Sequence, residues 1–224
     1  MTEIKIGLLL FFFSVIVGNI KAQLTDVEVG GFLGGAVYQG DLSDQLFDPA
    51  GAVFGYTGRY KYYYTLNFRA NLLLSRLKGA DKGASRNFSF TTTMIELSGM
   101  AEWEPLGRWR ELGNGTKKLK FSPYLLGGIG FLLAHPKAKF GTVTHPKLQD
   151  QINQDLRKGK TKLLLVIPIG AGVRYDLNRE WMIGAEVAVR YPFTDYLDGI
   201  SQAANPKAGD WYWFYGVTAM YLIH

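Results

Sequence analysis

Five charged residues, Arg69, Glu96, Arg174, Glu186 and Arg190, each fall on the polar side of a stretch in which apolar and polar residues alternate. Acids and bases gathered on one face could exchange protons or guide ions, or they could simply neutralise one another inside a closed structure. A structural ion-pair network is the expectation, because buried charges must pair and charge clusters are often only structural. A second group, Thr194, Asp195, Tyr196, Leu197, Asp198 and Ser201, forms an acidic, hydroxyl-rich segment, and Asp41 and Asp44 lie in another polar segment. Clustered carboxylates can hold calcium through oxygen ligands, but the EF-hand spacing is missing, so loop ordering or partner contact is preferred over a metal site. The third group is the histidines His135, His145 and His224, expected in a loop, the same loop and the chain end. A hydrolase would need serine, histidine and acid in register on rigid elements. No GxSxG is present and no histidine lies on an expected strand, so no catalytic residue, cofactor or metal ligand is assigned.

The elements that must position these groups are strands. In residues 181–191, WMIGAEVAVRY, the odd positions are apolar and the even ones include Glu186 and Arg190, so alternate side chains face opposite sides. Trp181 and Tyr191 cap the apolar stripe about one bilayer thickness apart, at about 3.3 Å per residue. An apolar stripe with aromatic ends points to a strand that crosses a membrane. Seven other segments share this character, at about residues 27–40, 52–62, 64–77, 88–103, 120–133, 163–177 and 211–223. The links after the second and sixth are tight, whereas those after the first, third, fifth and seventh run to about ten residues or more, the pattern of short periplasmic turns and long outer loops. An eight-stranded antiparallel outer-membrane β-barrel, of OmpA or OmpX size, is the fold expected. Its lumen would be filled by side chains, so Arg69, Glu96, Arg174, Glu186 and Arg190 would converge there as ion pairs.

Composition agrees with such a chain. Aromatic residues make up 14%, glycines number 27, and mean hydropathy is near zero. Barrel strands give only alternate apolar residues, so a neutral average does not exclude the membrane. There is no cysteine, which removes disulfides, thiol nucleophiles, thiolate metal sites and lipoprotein processing. Residues 6–20 form an apolar run after Lys5, too short for a membrane helix and of the length of a secretory h-region. Residues 1–22 are therefore expected to be a signal peptide, cleaved near Ala22, with residues 23–224 forming the barrel. Removing Glu3, Lys5 and Lys21 would take the formal charge from +6 to +5. That balance suits lipopolysaccharide phosphates or nothing in particular, and without an arginine-rich helix or RNA-binding signature nucleic acid is discounted. Residues 135–162 carry seven Lys or Arg against Asp150 and Asp155, and could touch lipopolysaccharide or be a solvated loop.

Three stretches carry a family resemblance. RYPFTDYLDGIS at residues 190–201, GGFLGGAVYQGDL at 30–42 and IPIGAGVRYDL at 167–177 resemble the PorG family, the outer-membrane barrel of the type IX (Por) secretion system of Bacteroidetes. In that family an arginine-ended strand runs into a TDYLD-type loop before the last strand. The resemblance implies a role as a scaffold in protein transport, in association with the periplasmic ring proteins PorK and PorN. The link after the fourth strand, PLGRWRELGNGTKKLKF, is long on the side where turns should be short. Arg108, Trp109, Arg110, Glu111, Lys117 and Lys118 in it are the expected partner contacts, since Trp and Arg are enriched at binding hot spots; membership of Trp103 and Trp109 in the interfacial aromatic girdle is the equal alternative. Two alternatives stay open: a small OmpA- or OmpX-like barrel for adhesion or envelope stability, and, behind it, a lipid-modifying enzyme.

Overall fold

The computed structural model describes residues 27–39, 51–80, 89–107, 120–139, 161–193 and 211–223. Eight strands follow one another: β1 (Val27–Gln39), β2 (Gly51–Tyr63), β3 (Leu66–Ala80), β4 (Ser89–Trp103), β5 (Phe121–Lys139), β6 (Lys162–Asp176), β7 (Trp181–Tyr191) and β8 (Trp211–Ile223). Each pairs antiparallel with its neighbours in sequence, and β1 pairs with β8 from Val27↔Ile223 to Gln39↔Trp211, so the sheet closes into a barrel with no free edge. Closure satisfies every backbone ladder from within the chain, which is what allows strands to cross hydrocarbon.

The alternation read along the chain becomes the inside and outside of this barrel. In β7, Met182, Glu186, Ala188 and Arg190 are buried, while Trp181, Ile183, Ala185 and Val187 are exposed. On β3, Asn67, Arg69, Asn71, Leu73 and Ser75 point in and Phe68, Ala70 and Leu72 point out. The exposed set is apolar throughout the middle of the wall, with Leu33 at 64%, Leu97 at 57% and Ile129 at 61% exposure. Such a surface is a liability in water and is stable against lipid tails.

Aromatic side chains mark the two ends of the apolar wall. Tyr62 packs on Phe68 and Trp181 on Tyr221 at the end that carries the chain termini of the barrel. At the other end Tyr191 packs against both Phe193 and Trp211, with centroids 4.6 and 5.0 Å away. Phe193 has a φ of 50°, a conformation unusual for a bulky residue, at the point where β7 leaves the wall.

Two element boundaries differ from the expectation. The β2–β3 turn is Tyr64 and Thr65, with β3 starting at Leu66 rather than at 64. β5 runs on to Lys139, six residues past the expected end, so His135 lies on a strand and not in a loop. The sequence HPKAK lacks apolar alternation because this part of the wall stands above the apolar band. Beyond Ala134, β5 pairs with β4 only, and a one-sided extension tolerates Pro136.

Candidate functional site

The polar groups of the barrel are inside it, in two tiers. Near the end with the short turns, strands β1 to β4, β6 and β7 supply Glu28, Arg59, Lys61, Arg69, Glu102, Arg174 and Glu186, and Glu104 follows directly after β4. Arg59 pairs with Glu28, and its Nε lies 2.6 Å from Glu102 Oε2. Lys61 reaches Glu28 at 3.2 Å. Arg69 makes a two-pronged contact with Glu186, at 2.7 and 2.9 Å, and also reaches Glu102 at 2.8 Å. Arg174 spans Glu102 and Glu104, at 2.9 Å to each. Glu102 is thus the hub of the tier, bound by three guanidiniums. Arg59, Lys61, Arg69 and Arg174 are thus all bound by carboxylates of the tier, and a further carboxylate, Asp176 at the end of β6, is buried at the same end. Tyr124 on β5 donates its hydroxyl to Glu186 at 2.9 Å.

The second tier lies toward the opposite end and is smaller. Arg190 on β7 donates from Nε to Glu96 Oε2 at 3.0 Å, while Tyr212 and Ser98 donate to the same carboxylate at 3.1 Å each. The Arg190 guanidinium stacks over the Phe214 ring, 4.0 Å from its centroid. Between the tiers sits an apolar plug of Met100, Tyr124, Leu126 and Ala188. Tyr124 fits only because Gly172 faces it: a β-carbon built at 172 would stand 2.5 Å from the Tyr124 hydroxyl.

All five charged residues named from the alternation lie inside, and each is ion-paired, but they do not converge on one point. Arg69, Arg174 and Glu186 belong to the first tier, and Glu96 and Arg190 form the second. Sequence reasoning missed Glu28, Arg59, Lys61, Glu102 and Glu104 as members, although Thr57, Arg59 and Lys61 repeat the period-two polar signal on β2. Tyr124 and Tyr212 carry no such signal, because an aromatic residue suits either face of a barrel wall. His135 is exposed on the outer wall, with Nδ1 2.7 Å from Thr161 Oγ1. Among the described residues no group of three His, Asp or Glu could hold a metal ion. Thr194, Asp195, Tyr196, Leu197, Asp198 and Ser201, Arg108, Trp109, Arg110, Glu111, Lys117 and Lys118, together with Asp41, Asp44, His145 and His224, lie outside the described residues, as does the expected signal segment.

The interior therefore holds charge without offering it: each guanidinium faces a carboxylate, and the apolar plug separates the tiers. Its chemistry is cohesion. At this depth of burial, removal of one member leaves the others uncompensated, at a cost of about 3–5 kcal/mol.

Residues 5–224 match the family described as Domain of unknown function (DUF6089), and the chain belongs to it. A comparison with the curated protein sequences finds no match. Among solved structures, the barrel is similar to Neisserial surface protein A, with 12% identity over 88% of this chain and 97% of that one, at a TM-score of 0.50. Similar too are Ail, the attachment invasion locus protein of Yersinia pestis, at 14% identity, 87% and 99% coverage and a TM-score of 0.41, and the outer membrane enzyme PagL, at 12%, 88% and 99%, and 0.42. At these identities the likeness is one of fold: a closed eight-stranded antiparallel barrel of the outer-membrane type.

Proposed function

We propose that this member of the DUF6089 family is an outer-membrane scaffold of the type IX protein secretion system, a PorG-like barrel that tethers the periplasmic ring of PorK and PorN, with no catalytic or conducting role. One observation carries the choice of scaffold: among the described residues the lumen is occupied by charged side chains bound to one another, every buried guanidinium by a carboxylate. Among the described residues such an interior leaves neither an open path for cargo nor a guanidinium without its carboxylate. The assignment to type IX secretion is supported by the sequence resemblance in residues 30–42, 167–177 and 190–201. In this reading residues 1–22 direct export and are removed.

The long link after β4 is the segment we assign to the ring, and the way it leaves the wall supports this. Its root is fastened twice. The Glu104 amide donates to Thr65 O at 2.8 Å, and the Glu104 carboxylate is held by Arg174. A docking segment with a rigid root loses less freedom on binding than one hung from a frayed strand. The test is to replace residues 108–118 by a Gly-Asn turn. The variant should insert and fold at normal levels, yet fail to co-purify PorK and PorN from solubilised outer membranes and fail to secrete type IX cargo. Normal secretion with normal barrel levels would remove the link from the mechanism and favour a small barrel for adhesion or envelope stability.

A further inference from the structure

The outward wall of β3, β4 and β5 changes character abruptly near the end opposite the short turns. Register sets its side chains in rows across the three strands. Leu72, Leu97 and Phe131 share one row, and Leu74, Ile95 and Leu133 share the next. The following row is Arg76, Thr93 and His135, and the one beyond it Lys78, Thr91 and Lys137. Successive rows are about 7 Å apart along the strands. Within that one step the surface passes from wholly apolar to cationic and hydroxyl-bearing.

The depth of the change matches a membrane boundary. From Trp103, in the aromatic ring at the short-turn end, to Thr93 is ten residues along β4. With strands tilted about 40°, this is about 25 Å of height, the thickness of the apolar band of outer-membrane barrels. The Arg76 row therefore stands where hydrocarbon ends and head groups begin, on the outer leaflet side.

On the described strands charge is one-signed and one-sided there. Arg76, Lys78 and Lys137 are exposed, and among the described residues the sole exposed carboxylate is Glu180, in the turn at the opposite end. At the same level on β7 and β8 the wall presents Tyr191 and Trp211 instead. A general attraction to an anionic surface would not require the cations to collect on one arc. Cations on β3 and β5 are two strands apart, about 10 Å, with the Thr91 and Thr93 hydroxyls between them as further donors. Two phosphates on one head group can engage both sides at once. The occupant's apolar part is fixed as well, since any molecule whose anionic groups reach these rows at the membrane boundary rests on Leu74, Ile95 and Leu133 directly below.

We infer that this face, built from Arg76, Lys78, Thr91, Thr93 and Lys137, is a binding surface for the phosphorylated head group of an outer-leaflet glycolipid of the lipopolysaccharide type. The inference needs only the barrel in its membrane and is independent of the secretion role. It places the lipid on the strands themselves, where the cations are held in register by the sheet.

The test uses the full mature barrel in detergent, with purified lipopolysaccharide as the probe and retention through repeated gel filtration as the readout. Wild type should retain it, lose it in high salt, and bind the enzymatically dephosphorylated lipid about tenfold more weakly or worse. The triple variant Arg76→Gln, Lys78→Gln, Lys137→Gln should lose retention to a similar degree, while Arg179→Gln, in the turn at the opposite end, keeps it. Folding of each variant is read separately by its heat-dependent gel mobility, and the dephosphorylated lipid tests the same point with no change to the protein. Equal binding of the two lipids by wild type would overturn the inference. So would undiminished retention by a folded triple variant, the result expected if the patch serves an acidic protein.

Discussion

Glu102 accepts from three arginines on three different strands, Arg59, Arg69 and Arg174, at 2.6, 2.8 and 2.9 Å. Desolvating so many charges is costly, and their mutual attraction roughly offsets that cost only while the set is complete. Glu102→Gln keeps the shape and removes the charge that three guanidiniums share. The folded barrel should lose about 3–5 kcal/mol, seen as a lower urea midpoint for conversion of the compact gel band to the unfolded one. A midpoint equal to wild type would show that the tier tolerates an unbalanced charge and is not what holds the strands together. Alternation along the fourth strand puts Glu102 on the same face as Glu96 and Ser98 but does not mark it as a hub. Its three partners come from positions 59, 69 and 174, and only closure of the sheet brings them to one place.

At the scale of the strand, period-two alternation decides which face meets lipid. Val187 and Ala188 are neighbours in β7 with opposite fates: the first is exposed on the apolar wall, the second is buried beside Met100, Tyr124 and Leu126. Val187→Arg should cost about 2–4 kcal/mol or block assembly if the site lies near mid-bilayer. Because the chain has no cysteine, a fluorophore can be attached to a single Cys in the unfolded chain before it is folded into vesicles. On Val187→Cys it should be quenched by doxyl-labelled acyl chains, whereas on Ala188→Cys it should escape quenching or prevent folding. Quenching at 188 and not at 187 would place the strand one residue out of register. Strand ends were less legible than strand faces. Residues 134–139 read as loop because they are polar, yet ladder hydrogen bonds to β4 hold them in β5 above the apolar band, where an outward polar side chain carries no penalty.

For the whole molecule, a closed wall around an interior of mutually bound side chains predicts a barrel that is rigid and sealed. Reconstituted in planar bilayers, the protein should give no steady unitary conductance across a range of voltages. Stable, ohmic openings would mean that the two tiers part to leave a water path, and the scaffold reading would lose the observation that carries it. Each buried guanidinium is bound by a carboxylate, on either side of the Met100, Tyr124, Leu126 and Ala188 plug, so none is left to draw in a counter-ion of its own.

What the chain determined by itself was the set of faces: alternation along β3, β4 and β7 assigned Arg69, Glu96 and Glu186 inward and Leu72, Ile95 and Val187 outward, because a pleated strand has no other way to place successive side chains. Strand number and the rhythm of long and short links followed from the same local pattern. Tertiary structure alone decided who meets whom. Arg69 and Glu186 are separated by 117 residues, and the single internal charge group foreseen from the sequence is in fact two, since the stagger of tilted strands sets the heights at which residues of like parity stand. The same stagger aligns Arg76 and Lys78 with Lys137 on the outer wall, a patch assembled from two strands whose cations are some sixty residues apart and visible only once the register is known.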